Sequence, residues 1–171
     1  MCLKNRLTKY FPGIFILVLG FGLLAGHGFP AAAAANRTVT DMTGRTVTLT
    51  GPVQRLVTTF KPATLCVFCL GLQEKLVGVD TESTRDPLQR AVYPEVVGIT
   101  AIGSKSSGIN LETLVSIQPD LVILYAQKDG RELADRLATM RIPAIIIFPE
   151  TFASIQAALD LIARAVGTAG Q

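Results

Sequence analysis

The sequence predicts an α/β fold, a lobe with a mostly parallel β-sheet that is built from βα units and preceded by a β-hairpin. From Arg55 onward, short apolar runs alternate with helical stretches of about ten residues, which is the pattern of a parallel sheet. Before Arg55, threonine and valine alternate on both sides of a turn that contains glycine. These two patterns together indicate one hairpin followed by one βα sheet.

The first 35 residues have the three regions of a cleavable secretory signal peptide. A basic start is followed by the apolar run IFILVLGFGLLA at residues 14–25, and small residues then continue up to position 35. The apolar run is shorter than the roughly 20 residues of a membrane-spanning helix. His27 stands where a lipoprotein signal would carry its lipidated cysteine. We therefore expect cleavage before Asn36 and a soluble periplasmic chain, rather than a membrane anchor.

Removal of residues 1–35 changes what the composition implies. This segment carries three of the 16 basic residues and none of the 13 acidic ones, which leaves 13 of each sign. A neutral chain gives no indication of nucleic-acid binding. The sole histidine, His27, leaves with this segment, so Ser-His and Cys-His catalysis and the usual zinc sites are not expected. We predict one domain that is not an enzyme and that carries no cofactor and no metal site.

The first predicted element after the signal peptide is the hairpin. Residues 37–41 and 45–49 alternate in polarity with a period of two, and the letters DMTG lie between them. Such alternation around a glycine-containing turn is typical of two antiparallel strands. Gly51 and Pro52 then end the hairpin.

The rest of the chain is predicted to alternate between strands and helices. The predicted strands are residues 55–60, 76–79, 96–103, 120–125 and 144–148. The predicted helices are residues 63–71, 86–92, 111–118, 131–140 and 152–166. The last helix has apolar residues at helical spacing, so one of its faces should pack on the sheet.

Two cysteines, Cys66 and Cys69, have the C-x-x-C spacing. Leu65, Phe68, Cys69 and Leu72 follow the i, i+3, i+4, i+7 pattern of an apolar helical face. On a helix the Cβ atoms of such a pair are about 5–6 Å apart, which exceeds the roughly 3.5–4.5 Å of a disulfide. We predict that both cysteines are free and packed in the core. The alternative is an exported thiol oxidoreductase that uses this pair.

Three stretches, DMTGRTVTL…VQRLV, LGLQEKLVGVD and GINLETLVSIQPDLVIL, together with the leader, resemble a known family. They are similar to the N-terminal lobe of the helical-backbone (class III) periplasmic substrate-binding proteins of ABC importers. The resemblance covers residues 37–171. It implies the binding component of an importer for an iron complex (ferric siderophore or haem) or cobalamin. It also implies an ABC permease in the inner membrane as the partner.

Members of this family have two lobes joined by a long helix, with the ligand between them. The sequence stops near the point where that helix is expected to begin. The resemblance therefore implies that residues 36–171 are one lobe of two, without the C-terminal lobe. A lobe that serves as an adaptor outside transport is the second alternative function.

The stretch NLETLVSIQPDLVIL gives the most specific part of the resemblance. Asn110 is a good N-cap residue, and Glu112 lies in the first helical turn, where the helix dipole favours a carboxylate. Pro119 ends this helix, and Asp120 begins a buried strand. In the family a glutamate of this element meets arginines of the permease. The resemblance thus implies that Glu112 is the permease-docking residue, whereas the local pattern alone also fits a role in the first turn.

Three lysines follow predicted strands: Lys61, Lys105 and Lys128. In open parallel sheets the ligand lies beyond the carboxyl ends of the strands. We expect these lysines in loops at that edge, where their convergence would attract an anionic ligand. Exposed lysines also occur in ordinary loops, which is the alternative interpretation.

Other residues near these strand ends are candidates for ligand contact. Ser106, Ser107 and Tyr125 are the predicted hydrogen-bond donors, and Phe60 and Tyr125 are suited to pack against a flat organic ligand. Glu150 follows the last predicted strand but fits a role at the start of the next helix equally well.

Overall fold

The computed structural model describes residues 36–104, 107–127 and 129–168. The predicted signal peptide, residues 1–35, lies outside the described residues. Within the described ranges, none of the helices combines the length and the apolar character needed to span a bilayer.

The described residues form nine strands, five α-helices and three short 3-10 helices. The strands are β1 (Arg37–Thr40), β2 (Thr46–Leu49), β3 (Leu56–Thr58), β4 (Leu76–Val79), β5 (Thr100–Ala101), β6 (Gly103–Ser104), β7 (Gly108–Ile109), β8 (Leu121–Tyr125) and β9 (Ala144–Ile147). The α-helices are α1 (Lys61–Cys69), α2 (Pro87–Val92), α3 (Leu111–Ser116), α4 (Gly130–Thr139) and α5 (Phe152–Val166). The 3-10 helices are Gln73–Lys75, Ser83–Arg85 and Pro94–Gly98.

A five-stranded parallel sheet with the order β5-β4-β3-β8-β9 forms the centre of the fold. The strands β1 and β2 pair as the antiparallel hairpin, and β6 and β7 form a second short antiparallel ribbon. Residues of β3, β8 and β9 are buried on both faces, which explains why their sequences are almost continuously apolar. The predicted α/β class, with a hairpin before a parallel sheet, is confirmed.

Helices cover both faces of this sheet. Leu121 and Ile123 of β8 point into a core that contains α1, α5 and the hairpin. The intervening residues Val122 and Leu124 point into a second core with residues of α3 and α4. The side chains of one strand alternate between the two faces, so a single strand supplies both cores. The prediction that α5 packs one face on the sheet is confirmed, because Ala158, Leu161, Ile162 and Ala165 are buried.

The prediction of one strand over residues 96–103 is wrong in part. Residues Pro94–Gly98 form a 3-10 helix, and the strand content is limited to the two-residue strands β5 and β6. Proline fits the first turn of a helix, which explains why the segment begins as one. Gly103, the first residue of β6, has a φ of +101°, a backbone conformation that favours glycine. This conformation turns the chain after β5.

The predicted apolar face of Leu65, Phe68, Cys69 and Leu72 is wrong in part, although Leu72 is buried and Phe68 packs against the core. The residues of α1 that are buried are Ala63, Thr64, Cys66 and Val67, whereas Cys69 is exposed at the last helical position. Pro62 lies in the first turn, so the helix begins two residues before its predicted start, and it ends at Cys69. The prediction of a core position is therefore confirmed for Cys66 and wrong for Cys69. Both cysteines are free.

Candidate functional site

Two cavities open at the carboxyl edge of the sheet, beside the ends of β3 and β8. The chain passes from β3 to β4 on one side, whereas β8 lies on the other side of β3, so the strand order reverses here. Such a switch point is where open α/β sheets bind ligands. Thr59, Phe60 and Tyr125 line both cavities and form the wall between them.

The two cavities differ in their remaining walls. We call one the Arg136 cavity; it has a volume of about 390 Å³ and is lined by Asp129, Glu132 and Arg136 together with the apolar Ile109, Leu124 and Leu133. We call the other the Glu150 cavity; it has a volume of about 540 Å³ and is lined by Lys61, Pro62, Asp80, Glu82, Pro149 and Glu150. Among the described lining residues, the Arg136 cavity has two carboxylates and one cation, and the Glu150 cavity has three carboxylates and one cation.

The shared wall is an aromatic pair. The ring centroids of Phe60 and Tyr125 are 4.8 Å apart and the ring planes are tilted by 42°. The Tyr125 hydroxyl donates a hydrogen bond to the Glu150 carboxylate, and this bond raises the pKa of Tyr125. The structure thus brings together two residues that the sequence nominated for packing against a flat ligand.

The first residue of α4, Gly130, lets this helix approach the end of β8. A Cβ atom at Gly130 would overlap the backbone carbonyl oxygen of Tyr125. Only glycine avoids this overlap without a shift of the backbone. Gly130 therefore fixes the distance between the helix that carries Glu132 and Arg136 and the strand that carries Tyr125.

Asp80 lies at the end of β4, where it is 2% exposed and lines the Glu150 cavity. Its Oδ1 atom accepts hydrogen bonds from the backbone N–H groups of Glu82 and Ser83, each at 3.1 Å. Its Oδ2 atom accepts a hydrogen bond from the Ser83 hydroxyl. Burial raises the pKa of Asp80, and the hydrogen bonds from Ser83 oppose that rise. The donors around Asp80 all favour its charged form.

Ser83 is itself part of a buried chain of hydroxyl groups. The Ser83 Oγ atom lies 3.1 Å from Thr64 Oγ1, which lies 2.7 Å from Thr58 Oγ1. These three side chains are fully buried, so their hydroxyl groups need the partners that they find in one another. This row of hydroxyl groups links β3 and α1 to the Asp80 carboxylate at the wall of the Glu150 cavity.

Lys61 lines the Glu150 cavity, but its predicted position in a loop is wrong, because it is the first residue of α1. Its Nζ atom lies 3.3 Å from Oδ2 of Asp86. Asp86 also caps α2 by accepting a hydrogen bond from the backbone N–H of Gln89. That hydrogen bond, followed by the contact with Lys61, lowers the pKa of Asp86. The lysine charge is therefore shared with a carboxylate outside the lining of the cavity.

Three predicted site residues, Lys105, Ser106 and Lys128, lie outside the described residues. Ser107 is described, and its hydroxyl lies 2.9 Å from the hydroxyl of Ser104, which lines the Arg136 cavity. The structure thus gathers Phe60, Lys61 and Tyr125 around one cleft and sets Ser107 beside it. The anion site built from three lysines stays a prediction.

Four of the five acidic residues among the described lining of the cleft were not predicted from the sequence; the fifth, Glu150, was a candidate there. Asp80, Glu82, Asp129 and Glu132 line one cavity or the other, and Glu150 does so in addition to preceding α5. Asp80 directly follows a strand, which is the same signal that nominated the lysines. Among the described residues, no group of three or more histidine, cysteine or carboxylate side chains is arranged to hold a metal ion.

Glu112 lies in the first turn of α3 and is exposed. The side chain of Asn110 caps this helix, since its Oδ1 atom accepts a hydrogen bond from Thr113 N at 2.9 Å. The cap predicted from the sequence is confirmed. The docking role of Glu112 stays a prediction.

No family model matches the chain. The chain is 25% identical over 166 residues to an uncharacterized ABC transporter substrate-binding lipoprotein, YvrC, of Bacillus subtilis, which covers 88% of this chain and 49% of that protein. It is 29% identical over 92 residues to the vitamin B12-binding protein of Vibrio parahaemolyticus. This alignment covers 54% of this chain and 30% of that protein. The chain thus spans about half or less of the length of these curated relatives.

Solved structures share the fold. A periplasmic solute-binding protein from Veillonella parvula matches with a TM-score of 0.69 and 22% identity, over 78% of this chain and 42% of that one. The heme binding protein HmuT matches with a TM-score of 0.61 and 24% identity, over 81% of this chain and 43% of that one. Staphylococcus aureus SirA complexed with staphyloferrin B matches with a TM-score of 0.62 and 23% identity, over 77% of this chain and 42% of that one.

These findings confirm the resemblance recognised in the sequence. The relatives are substrate-binding proteins of transport systems, and the structural neighbours share the parallel sheet with helices on both faces. The homologues and structural neighbours of this chain are class III periplasmic binding proteins, and the chain matches about half of them, the extent of one lobe.

Proposed function

We propose that the chain is the N-terminal lobe of the periplasmic substrate-binding component of an ABC importer for an iron complex (ferric siderophore or haem) or cobalamin. The observation that carries this proposal is the cleft. Two cavities flank the Phe60–Tyr125 pair at the switch point of the sheet, in a chain whose homologues are ABC substrate-binding proteins. A concave site with an aromatic wall and a few polar groups is typical of small-molecule recognition.

The aromatic pair supports a ligand with a flat or apolar portion. Aromatic rings bury large areas and favour stacked or edge-to-face contacts. The predicted anion site of Lys61, Lys105 and Lys128 would hold negatively charged groups of such a ligand. Loss of one of these lysines is expected to weaken binding by about 1 kcal/mol or more if the contact is desolvated. One lobe supplies only its own side of a site that lies between two lobes, so binding to this lobe by itself should be weak.

The experiment that tests ligand binding is equilibrium dialysis of the full chain against haemin and against cyanocobalamin. We expect weak binding of at least one of them. Tyr125→Ala should weaken it about five-fold, in line with the roughly 1 kcal/mol of an aromatic contact. Phe152→Ala is the matched control, because Phe152 is 78% exposed and lines neither cavity. Binding that is equally sensitive to both substitutions would contradict a role of the cleft.

We also propose that residues 1–35 are a cleavable signal peptide and that the chain acts in the periplasm. The charged start, the apolar run and the small residues before Asn36 support this. In a Gram-negative host, the periplasmic fraction should contain a chain whose N-terminus is Asn36 or a near neighbour. Recovery of intact chains in the inner membrane alone would support an anchor instead.

The partner in transport is proposed to be the ABC permease, with Glu112 as the docking residue. Its exposure in the first turn of α3 supports this proposal. A carboxylate at the rim of an interface chiefly sets the association rate and the orientation of the partners.

The alternative function, a thiol oxidoreductase, is not supported by the cysteine pair. Reactive cysteines have a lowered pKa and an accessible sulfur. Cys66 is 5% exposed, and burial, with a smaller contribution from Cys69, raises its pKa to about 11. The buried thiol therefore has the opposite of the properties that redox catalysis needs.

A further inference from the structure

We infer that the Glu150 cavity selects a hydrogen-bond-donating or cationic group of the ligand and that Asp80 is the residue that contacts this group. The inference rests on the proposed ligand-binding function of the cleft, and it specifies the chemistry at one end of that cleft. Lys61, one of the three lysines of the predicted anion site, also lines this cavity, but its ammonium group is paired with Asp86.

Asp80 keeps an open acceptor position. An ionised carboxylate has about four acceptor positions. The backbone N–H groups of Glu82 and Ser83 use two of them on Oδ1, and the Ser83 hydroxyl uses one on Oδ2. No other side chain or backbone group in the described part of the chain is bonded to Oδ2. A carboxylate that is 2% exposed, and that lines the cavity, thus keeps one acceptor position for a group that enters the cavity.

The hydroxyl chain behind Asp80 has a single orientation. Each hydroxyl has one proton to donate. The Ser83 proton is donated to Asp80, so Thr64 must donate to Ser83, and Thr58 must donate to Thr64. All three dipoles therefore point toward the carboxylate and favour its negative charge. A carboxylate held in place in this way loses little freedom when it binds a ligand.

The wall of the Glu150 cavity is negative on balance. Glu82 and Glu150 line this cavity together with Asp80. The one cation among its described lining residues is Lys61, whose ammonium group is paired with Asp86. An anionic group placed here would meet like charge, whereas an ammonium, amide or hydroxyl donor would satisfy the open position on Asp80.

The test compares two probes that share an indole ring and differ in the sign of their charge: tryptamine, a cation, and indole-3-propionate, an anion. Both are titrated into the ¹⁵N-labelled full chain and followed by amide chemical shifts. Tryptamine should shift the signals of Glu82, Ser83 and Tyr125. Its apparent Kd should be about five-fold or more below that of indole-3-propionate, the effect of one charge-assisted hydrogen bond.

Asp80→Asn should abolish this preference, so that the Kd values of tryptamine and indole-3-propionate become about equal. The substitution removes the charge and keeps the size of the side chain. Glu95→Gln is the control, because Glu95 is exposed and lines neither cavity, so it removes the same charge from the chain and should leave the preference unchanged. Glu82→Gln changes an exposed lining residue and should lower the preference about two-fold. It provides the test if Asp80→Asn does not fold.

The outcomes separate this inference from the proposed function. Equal affinities of the two probes at Glu82 and Ser83 would overturn the inference and leave ligand binding by the cleft intact. An unchanged preference in folded Asp80→Asn would overturn it as well. The absence of shifts at Thr59, Phe60 and Tyr125 with either probe would also overturn the inference, whereas the proposed binding function is tested separately with haemin and cyanocobalamin.

Discussion

At the scale of single residues, Asp41 joins the hairpin to the sheet. Its side chain is fully buried and accepts hydrogen bonds from the backbone N–H groups of Thr43 at 2.9 Å and Arg45 at 3.0 Å. Its second oxygen accepts a hydrogen bond from the backbone N–H of Ile146, a residue of β9, at 3.2 Å. The sequence predicted a turn at this aspartate, but the bond to Ile146 spans 105 positions and leaves no local pattern.

Asp41→Ala should lower the free energy of unfolding by about 3 kcal/mol, because it leaves the buried N–H of Ile146 and the part-buried N–H groups of Thr43 and Arg45 without this acceptor. Urea unfolding measures the change. Asp135→Ala is the matched control, because Asp135 pairs with the same Arg45 at 3.4 Å but has a side chain that is 68% exposed. The control should lose less than about 1 kcal/mol. Equal losses in the two variants would show that Asp41 does not hold the hairpin in place.

The two cysteines should react at very different rates. Cys69 is exposed, whereas Cys66 is buried and has its pKa raised to about 11. Since the thiolate is the reactive form, iodoacetamide at pH 8 should modify Cys69 within minutes and Cys66 only after unfolding. Peptide mass spectrometry of the native chain and of the chain in urea distinguishes the two sites. A Cys66–Cys69 disulfide, or equal rates of modification, would reopen the redox interpretation.

The residues of the cleft were only partly predictable. Phe60, Lys61 and Tyr125 were identified because each is at or just beyond the end of a strand, and the rule for open sheets puts ligands there. Asp80 satisfies the same rule but was overlooked. Its hydrogen bond from Ser83 belongs to a row of hydroxyl groups that includes Thr64 and Thr58, and this row forms only when α1 and β3 pack together.

At the scale of elements, the alternation of strands and helices was predictable because both have a clear apolar period or a continuous apolar run. The errors fall where short runs give no period. Residues 96–103 contain apolar residues whose burial is decided by tertiary contacts, since Val96 and Ile102 are buried and Val97 is exposed. The buried face of α1 was missed because apolar residues surround most of its circumference, so the sequence pattern does not single out one face.

Helix α3 carries the docking prediction. In the complete transporter, Glu112→Ala should keep ligand affinity unchanged but weaken association with the permease in nanodiscs by about 1 kcal/mol, the typical effect of a rim charge. The weakening should be greater at low salt, where the attraction between charges is least screened. Surface plasmon resonance at two salt concentrations measures both effects.

Glu95→Ala is the control for that experiment, because Glu95 is exposed but lies on a different element, the 3-10 helix Pro94–Gly98. It should leave the association unchanged. If Glu112→Ala instead unfolds the chain or abolishes ligand binding, then Glu112 has a structural role and the docking assignment is wrong.

At the scale of the whole molecule, the fold class could be predicted from the sequence, whereas the charge of the cleft could not. The order of the strands β5-β4-β3-β8-β9 brings together residues that are far apart along the chain. In the sequence, Lys61, Lys105 and Lys128 can be identified as isolated positive charges that follow predicted strands. The carboxylates of Asp80, Glu82 and Glu150 line one cavity only because the fold brings the segments that follow β4 and β9 to the same cavity.

The central claim is that the carboxyl edge of the sheet is the ligand site of a transport lobe. Amide chemical shifts of the ¹⁵N-labelled full chain test it most directly, with cyanocobalamin, gallium protoporphyrin and a gallium catecholate complex as diamagnetic probes. At least one probe should shift the signals of Thr59, Phe60, Tyr125 and Glu150 in a saturable manner. Shifts confined to the opposite edge of the sheet, or no shift with any of the three probes, would contradict the claim.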